Sequence, residues 1–482
     1  MTKEILIRSG PGEKRISFTA SRKLRRVLID REGDISLINQ IHVARVSKID
    51  KELDAAFLDG GGNEKFFLDA SDAQILDSRR EQPQRINKLF TEGEMVLVQV
   101  KQDSKLGKSA RVSIDLEIGD ANLSLSPKRS GVCMLNNSDG LKKTSGIESI
   151  LEVLGSKGVG FKIKCRALSL SPQTVLAEAE KLLETWEQIK SRVRGLKNPT
   201  LLYQPAPEFI RFLYEVSDRN IKQILVDDHR CYQEIEKVLC SNSSEFLELL
   251  KLYDGEEGIY ETYDLETQWE ELLSNRVSLP SGGSLIIEET SAMTTIDVNT
   301  SQTNFTESNK SKRNFKVNLE AVCEVANQMV LRNLGGQIII DLLPQRDRKS
   351  RNSLIDAFRK AISFDPIYVN LIGFTRLGLF ELTRQRVGVP LAQQLLNRYE
   401  NIQSPSTVAF EALYRVQREI VKSSNTYWLI EAAPNVAEIL ISGVANPAKV
   451  SLEKRTFSKI EVLGDADYSF SEFSVRSTSR AV

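Results

Sequence analysis

Histidine is the scarcest reactive residue in this sequence, because its 482 residues contain His42 and His229 and no other imidazole. This scarcity excludes chemistry that depends on several imidazoles, such as histidine-rich zinc sites, paired-histidine nucleases and most Ser-His triads. A catalytic metal would have to be bound through oxygen ligands, which favours Mg²⁺ or Mn²⁺ over zinc.

Cysteine is also sparse, and no two cysteines form a CxxC pair. The five cysteines are Cys133, Cys165, Cys231, Cys240 and Cys323. Their odd number and wide spacing argue against a disulfide framework and against a four-thiolate zinc site. Reduced thiols of a cytoplasmic protein are the expected state.

Long apolar runs and net charge are missing as well. No segment approaches the roughly 20 apolar residues that span a bilayer, and the start MTKEILIRSGPGEKRIS has no apolar signal core, so export is not expected. Lys plus Arg and Asp plus Glu number 65 each, so any field that attracts nucleic acid must be local. With 41% apolar residues, the chain is long enough for about three or four globular units.

Short strand patterns separated by glycine turns occupy residues 34–118. The runs IHVARVSKI, DAAFLDGGG, EKFFLDAS, EMVLVQVKQD and KSARVSIDLEI have the length and spacing of a small closed barrel of the OB type. Phe57 and Phe67 fall on successive strands, and Lys108 lies in the loop LGKSAR. Exposed aromatic rings beside a cation form a platform for unpaired bases. Barrel phenylalanines more often belong to the core, so both interpretations stay open.

Alternating patterns predict α/β structure in the rest of the chain. GFKIKCRAL predicts a strand and TVLAEAEKLLETWEQIKSRV a helix, and IKQILVDD and YQEIEKVLC predict a second such pair. Between residues 279 and 386, strands are predicted from LIIEET, MTTIDVNT, LGGQIIIDLL and IYVNLIGFTRLGLFEL. The helix before LGGQIIIDLL has apolar residues at helical spacing: Phe315, Leu319, Val322, Ala326, Met329 and Val330. After Pro390, the runs WLIEA, EILIS and KIEVLG predict short strands, and SVRSTSRAV predicts a disordered tail.

Two aspartates end isoleucine-rich strands of the 279–386 region. Asp297 ends TTID and Asp341 ends QIIID. Ligands of α/β sheets gather where strands end, so neighbouring aspartates there could hold one hard cation with open positions for water and phosphate. Asn299, two residues after Asp297, points to the same side and could orient its carboxylate. Strand-end aspartates also simply cap turns, and spacing alone favours that simpler interpretation.

Basic residues follow Asp341 and the next strand. They are Arg346, Arg348, Lys349 and Arg351 after Asp341, and Arg376, Arg384 and Arg386 after the next strand. The planar guanidinium of arginine binds phosphate through two parallel hydrogen bonds. A solvated helix start is an equally good explanation of the cluster at residues 346–351.

Several long motifs resemble the ribonuclease E/G family. They are LPSGGSLIIEET, TTIDVNT, NLEAVCEVANQMVLRNLGGQIIIDLL and TRLGLFELTRQR. The resemblance covers residues 1 to about 465, and the length is closer to the ribonuclease G type.

The resemblance implies an α/β and β multidomain fold. An RNase H-like subdomain is interrupted by an S1-type OB barrel and a 5′-sensor region, and a DNase I-like catalytic subdomain and a small C-terminal α/β domain follow. The implied boundaries are 1–33 and 210–273 for the RNase H-like parts, 34–118 for the RNA-binding barrel, 119–209 for the sensor-like region, 274–395 for the catalytic subdomain, 396–470 for the small domain and 471–482 for the disordered tail.

The resemblance also implies roles for individual residues in the catalytic subdomain. Asp297 and Asp341 match Mg²⁺-binding aspartates, and Asn299 matches the asparagine that orients them. Arg376 matches an arginine near the scissile backbone.

In the barrel, Phe57, Phe67 and Lys108 match RNA-contacting positions. The family reaction is hydrolysis of single-stranded RNA to a 5′-phosphate and a 3′-hydroxyl. The resemblance therefore implies a cytoplasmic endoribonuclease that depends on Mg²⁺, or on Mn²⁺ in its place, and cuts unpaired, A/U-rich RNA in rRNA or tRNA processing or mRNA decay. The alternative is a catalytically weak RNA-binding protein that retains the fold, and the intact set of four catalytic-subdomain residues argues against it.

The sequence departs from the family pattern at two places. Lys164 and Cys165 stand where the 5′-monophosphate pocket has an Arg-Thr pair, and cysteine is a poor replacement for a hydroxyl donor. After TRQR the chain continues VGVPLAQQLLNRYENIQ, without the CPxC motif through which family members share zinc. We expect no structural zinc, so any homo-oligomer would not be zinc-linked, and no degradosome scaffold tail is expected.

Overall fold

The structure, a computed structural model, describes residues 2–32, 36–75, 83–104, 109–119, 122–134, 147–163, 167, 171–216, 221–242, 244–290, 292–300, 310–345, 347–363, 365–397, 403–423, 425–469 and 471–478. The chain divides into two compact units, one formed by Met1–Ile35 with Val216–Val482 and the other by Ser36–Glu215. The first unit begins with three antiparallel strands, β1 (Lys3–Gly10), β2 (Glu13–Ala20) and β3 (Lys23–Arg31).

The unit Ser36–Glu215 contains a closed barrel. Its elements are β4 (Ile41–Asp50), β5 (Ala55–Gly61), β6 (Glu64–Asp69), α1 (Ile86–Leu89), β7 (Met95–Gln102) and β8 (Ala110–Ser113). The order β4-β5-β6-β8-β7 closes because β7 also pairs with β4. Inward-pointing residues such as Leu58, Phe66 and Leu68 fill the barrel. The prediction of a closed OB-like barrel is confirmed.

A second sheet and a long helix complete this unit. The elements are β9 (Ile118–Gly119), β10 (Leu123–Ser126), β11 (Val132–Met134), α2 (Ile147–Gly155), β12 (Gly160–Ile163), α3 (Pro172–Val193), β13 (Thr200–Tyr203) and α4 (Glu208–Val216). The order β11-β12-β10-β9 forms the sheet, and β13 joins β4. The helix predicted from TVLAEAEKLLETWEQIKSRV is α3, whose first amides are capped by the Ser171 hydroxyl, which accepts from Thr174 N at 3.2 Å.

The first sheet gains two strands from the segment after residue 216. This segment contains β14 (Ile221–Val226), α5 (His229–Asn242), a 3₁₀ helix (Ser244–Leu249), β15 (Leu250–Leu252), α6 (Ile259–Thr262) and α7 (Glu266–Leu273). The order is β15-β14-β1-β2-β3, with β14 parallel to β1. Both chain segments of the first unit, Met1–Ile35 and Val216–Val482, therefore contribute strands to this sheet. The strand predicted from IKQILVDD and the helix predicted from YQEIEKVLC are confirmed.

A six-stranded sheet follows. Its elements are β16 (Arg276–Ser278), β17 (Ser284–Glu289), β18 (Met293–Asn299), α8 (Lys310–Leu331), β19 (Gly336–Asp341), α9 (Arg348–Ile362), β20 (Val369–Phe374) and β21 (Phe380–Arg384). The order is β16-β17-β18-β19-β21-β20. The single strand predicted from IYVNLIGFTRLGLFEL is wrong, because the run folds back at Gly378, whose φ of +95° suits glycine.

The predicted face of α8 is partly wrong. Leu319 is 37% exposed, and the residues that pack on the sheet are Val317, Ala321, Val322, Val325 and Met329. The helix therefore turns a face of smaller side chains toward the isoleucines of β18 and β19, which lets helix and sheet approach closely.

The C-terminal part corrects two further predictions. Its elements are α10 (Leu391–Leu395), α11 (Pro405–Lys422), β22 (Tyr427–Ala432), α12 (Pro434–Ile441), α13 (Asn446–Thr456), β23 (Lys459–Gly464) and β24 (Phe473–Ser477). EILIS belongs to α12 and is not a strand, because Pro434 starts a helix and Val436, Ala437 and Leu440 meet the core at helical spacing. The predicted disorder from residue 471 is wrong for β24, which pairs with β22, whereas residues 479–482 lie outside the described residues.

The chain is thus a mixed α/β protein with several sheets and one closed barrel among its described residues. The named subdomains and their boundaries stay predictions. None of the described helices combines the length and the apolar composition that crossing a bilayer requires.

Candidate active site

Asp297 and Asp341 lie directly opposite each other on neighbouring strands. Strands β18 and β19 are parallel, and their register pairs Ile296 with Ile340 and Asp297 with Asp341. Paired strands are about 4.8 Å apart and opposite residues share a face, so the two carboxylates project side by side. Both aspartates are exposed, whereas Ile296 and Ile340 are buried in the core beneath them.

Asn299 holds the carboxylate of Asp297. Its Nδ2 donates a hydrogen bond of 2.7 Å to Oδ2 of Asp297. The main chain at Asn299 is closely packed, because a Cβ at Gly283 would lie 2.8 Å from the Asn299 carbonyl oxygen. Glycine in the SGGS turn therefore lets β17 approach the end of β18.

The segment after Asp341 is fixed by a side chain that the sequence did not indicate. Asn318, fully buried in α8, donates from Nδ2 to Leu343 O at 2.8 Å and accepts from Leu343 N at 2.9 Å. Asn314, one turn earlier, donates to Pro344 O at 3.4 Å. The available signal was the spacing of Asn314 and Asn318, because asparagines four residues apart lie on one face of a helix and need partners when that face is buried.

Arg376 lies at the same edge of the sheet. The antiparallel register pairs Ile340 with Phe380, so the turn that precedes Phe380 reaches the edge where Asp341 lies. This turn is closed by Thr375 N donating to Leu379 O at 2.8 Å, and the side chain of Arg376 is exposed. The structure thus gathers the four predicted catalytic-subdomain residues at one edge.

The basic residues after Asp341 have different surroundings. Arg348 and Lys349 are exposed in the first turn of α9, whereas Arg346 lies outside the described residues. Arg351 is half-buried: its Nε donates to Gln345 O at 2.8 Å and its Cζ lies 5.2 Å from the Phe374 ring centroid. Arg351 therefore ties the segment after Asp341 to the hairpin that carries Arg376.

Two helices start at this edge with positively charged first turns. α8 begins with Lys310, Lys312 and Arg313, Lys316 follows in its second turn, and neither α8 nor α9 has an acidic residue in its first turn. Cations are unfavourable at helix N-termini by about 0.3–1 kcal/mol each. Because both helices begin at this edge, positive charge is concentrated near the carboxylates, in a chain whose formal net charge is zero.

Asp347 is the acidic exception beside these cations. Its carboxylate caps α9 by accepting from Ser350 N at 2.7 Å. Hydrogen bonds from Ser350 lower the pKa of Asp347 below its ordinary value. Asp347 therefore serves as the N-cap of α9, which explains an acidic residue among these cations.

Arg384 and Arg386, predicted with Arg376 as phosphate-binding residues, are not at this edge. Arg384 is 2% exposed, its Nε donates to Asp365 Oδ2 at 2.7 Å and its Nη1 donates to Leu334 O at 2.8 Å. It is paired with Gly336 in the register, at the opposite end of β19 from Asp341. Arg386 lies beside Gly336 as well. The prediction is wrong for these two residues because β21 runs back along β19.

Phe57 and Phe67 face each other on the outside of the barrel. Their strands β5 and β6 pair them in register, and their rings meet edge to face with centroids 5.6 Å apart. Both side chains are half-buried, while their neighbours Leu58 and Phe66 fill the core. Lys108, like Lys164 and Cys165 of the predicted 5′-end pocket, lies outside the described residues.

The carboxylate pair fits a magnesium ion in its donor chemistry. Mg²⁺ keeps several waters and is bound through one or two carboxylates together with phosphate oxygens of a substrate. Among the described residues there is no cluster of three or more His, Cys, Asp or Glu side chains that would form a closed metal cage. Two exposed carboxylates, one of them oriented by an asparagine amide, match such an open site.

The chain belongs to the ribonuclease E/G family, since the model of that family matches residues 135–387, more than half of the chain. Ribonuclease G of Haemophilus influenzae is 28% identical over 487 aligned residues, which cover 98% of this chain and 99% of the relative. Ribonuclease G of Escherichia coli strain K12 is 28% identical over 453 residues, or 91% of this chain and 92% of the relative. Ribonuclease E of H. influenzae is 26% identical over 392 residues, 79% of this chain and 41% of that relative.

Proposed function

We propose that this protein is a Mg²⁺-dependent endoribonuclease that hydrolyses single-stranded RNA at the edge formed by Asp297 and Asp341. Membership of the ribonuclease E/G family supports an endoribonuclease acting in RNA processing. The observation that carries the site is the in-register pairing of the two aspartates, with Asn299 bonded to Asp297. Cleavage of A/U-rich segments to 5′-phosphate and 3′-hydroxyl ends is the finer part of the proposal.

Each residue of the edge has a role in the proposed reaction. Asp297 and Asp341 would hold Mg²⁺, which when bound polarises the phosphodiester and lowers the pKa of a water molecule. The amide of Asn299 keeps one oxygen of Asp297 engaged, so the carboxylate presents its other oxygen in a fixed direction. Arg376, on its closed turn, is suited to bind a non-bridging phosphate oxygen and to stabilise charge that develops there.

Two separate features support a polyanionic, single-stranded substrate. The basic first turns of α8 and α9 raise the local concentration of RNA near the carboxylates, an effect that weakens with salt. The half-exposed Phe57 and Phe67 of the barrel support stacking with unpaired bases. Single-stranded RNA is therefore the proposed substrate.

Cleavage of a 5′-monophosphorylated single-stranded RNA in Mg²⁺ tests the nuclease assignment. We expect cleavage by the wild type, its loss in Asp297→Ala, and wild-type rates in Asp356→Ala, a matched control because Asp356 is an exposed aspartate paired only with Arg359 among the described contacts. Binding of RNA without cleavage would favour the alternative, a catalytically weak RNA-binding protein with this fold. Undiminished cleavage by Asp297→Ala would refute the proposed site.

The proposal has three further parts, and the first and the last have tests of their own. Lys164 and Cys165 are proposed to sense the 5′ end weakly, so 5′-phosphate and 5′-hydroxyl substrates should be cut at similar rates. The described cysteines Cys133, Cys231, Cys240 and Cys323 are free, which supports a reducing, cytoplasmic location. Any homo-oligomer is proposed to form without zinc, so its mass should be unchanged by a chelator.

A further inference from the structure

Four side chains form a continuous row across strands β4, β5, β6 and β8 of the barrel. The register pairs Lys48 with Phe57, Phe57 with Phe67, and Phe67 with Arg111. Directly opposite residues of paired strands project to the same face. The row lies on the outer face, because the alternate residue Phe66 is fully buried in the barrel core.

The row differs in charge from the rows on either side. On one side the register aligns Asp50, Ala55 and Asp69, and on the other it aligns Arg45, Asp59 and Lys65. A phosphate chain that ran along the strands would cross an aspartate on either side of the aromatic pair. A chain that crosses the strands along the row meets a cation, two aromatic rings and a second cation.

Both cations of the row are accessible and only weakly engaged. Lys48 Nζ lies 3.7 Å from Asp50, and the lysine side chain is 67% exposed. Arg111 bonds Asp72 through Nε at 2.6 Å, and its side chain is 46% exposed. Exposed ion pairs contribute little to stability, and the guanidinium has four further N–H donors. A phosphate can therefore compete for either side chain.

The dimensions of the row suit two unpaired nucleotides. Three strand spacings separate the two cations, about 14 Å between their main-chain positions. The edge-to-face contact of the two phenylalanines leaves each ring with a face that the other does not cover. One base can stack on each ring while the flanking phosphates reach the two ends of the row.

We infer that Lys48 and Arg111 bind the phosphates on either side of two nucleotides whose bases stack on Phe57 and Phe67, so that single-stranded RNA crosses the barrel perpendicular to its strands. This inference deepens the proposed function and rests on it, because it describes how the same substrate is held. It assigns phosphate-binding roles to Lys48 and Arg111 and gives the strand path. Recognition of this kind is independent of base sequence, since every base has a π-face.

The test measures binding of the full chain to a fluorescent single-stranded RNA of about 10 nucleotides, within the site size of OB-type barrels. A chelator prevents cleavage, and sodium chloride is titrated. Lys48→Ala and Arg111→Ala are compared with Lys65→Ala, whose side chain is 64% exposed, lies 3.5 Å from Asp59 and belongs to a neighbouring row. Asp72→Asn separates loss of the Arg111 cation from loss of its ion pair.

The expected result is a change in salt dependence. Lys48→Ala and Arg111→Ala should each lose about 0.7 from the slope of log affinity against log salt, the value for one phosphate contact of a single strand. Lys65→Ala should keep the wild-type slope, and Asp72→Asn should bind as tightly as the wild type or more tightly. Phe57→Leu should bind about fivefold or more weakly at an unchanged slope, because stacking involves no ion release.

Two outcomes would overturn the inference: slopes for Lys48→Ala and Arg111→Ala equal to that of Lys65→Ala, or loss of affinity in Asp72→Asn as large as in Arg111→Ala. The first would mean that the phosphates take another path, and the second that the ion pair only maintains the barrel. Intact cleavage in Mg²⁺ with no effect of the row variants would refute the row alone. Row-dependent binding without cleavage would refute the nuclease assignment alone.

Discussion

Replacing Asn299 by alanine is a direct test of the candidate metal site. The change removes the 2.7 Å hydrogen bond to Asp297 Oδ2, from an exposed side chain at the end of β18. Exposed substitutions usually change the free energy of unfolding by less than about 0.5 kcal/mol. Loss of the group that orients a metal ligand costs about 10- to 100-fold in metal affinity or activity, equivalent to about 1.4–2.7 kcal/mol.

The assay is the initial rate of RNA cleavage as a function of Mg²⁺ concentration. For Asn299→Ala we expect the half-saturating Mg²⁺ concentration to rise by about 10- to 100-fold, with activity partly restored at high Mg²⁺. Asp297→Ala should not be restored, because a ligand is missing. Asn370→Ala is the matched control, since Asn370 is an exposed asparagine on β20 of the same sheet, away from the carboxylate edge.

An unchanged half-saturating Mg²⁺ concentration in Asn299→Ala would refute the orienting role. If Asn299→Ala lowered the free energy of unfolding by much more than about 0.5 kcal/mol, the usual limit for exposed sites, the orienting role would also be refuted. The hydrogen bond to Asp297 would then serve the stability of the fold. The orienting role would also be refuted if Asn299→Ala and Asn370→Ala changed the half-saturating Mg²⁺ concentration equally.

Three other perturbations follow from particular contacts. Arg384→Met leaves the carboxylate of Asp365 buried and unpaired, so urea unfolding should show a loss of about 3–5 kcal/mol, and a loss under about 1 kcal/mol would contradict the buried pair. Arg351→Met should lower kcat by about tenfold or more while KM changes little, because the Arg351 side chain positions the segment after Asp341. Arg351→Lys should restore kcat in part, and an unchanged kcat in Arg351→Met would exclude this role. Burial raises the pKa of Asp227 to about 7 from 3.8, so the folded state retains a proton that the unfolded chain releases; the stability from this group is complete below the unfolded pKa and is lost as pH rises through 7. Asp227→Asn should flatten the dependence of the free energy of unfolding on pH between about pH 4 and pH 7, and a slope equal to that of the wild type would contradict the shifted pKa.

Much of the secondary structure could be predicted because local sequence patterns determine it. The runs that end at Asp297 and Asp341, MTTI and QIII, are rich in β-branched residues, which favour strands, and each ends at its first charged residue. α3 has a serine cap followed by proline, and this start is independent of the rest of the chain. The strand predicted from EILIS is wrong because a short apolar run is compatible with either a strand or a buried helix. Its packing on the C-terminal core favours the helix.

The roles of the arginines could not be predicted, because an arginine near a strand end is the same in sequence whether it binds phosphate or a buried carboxylate. Arg384 meets Asp365 only because the run after Ile367 folds back into β20 and β21. The same hairpin carries Arg376 to the carboxylate edge. Gly378 was the local sign of this turn.

The sequence by itself determined which residue types are available for chemistry. Two histidines and the absence of a CxxC pair exclude most other metal sites, and two aspartates at the ends of strand-forming runs leave oxygen ligands for a hard cation. Only the tertiary structure decided that these aspartates, 44 positions apart in the chain, are directly opposite each other. Parallel register is a non-local property: the apolar face of α8 packs on the sheet and the buried Asn318 bonds the segment after Asp341, and no local propensity encodes these contacts.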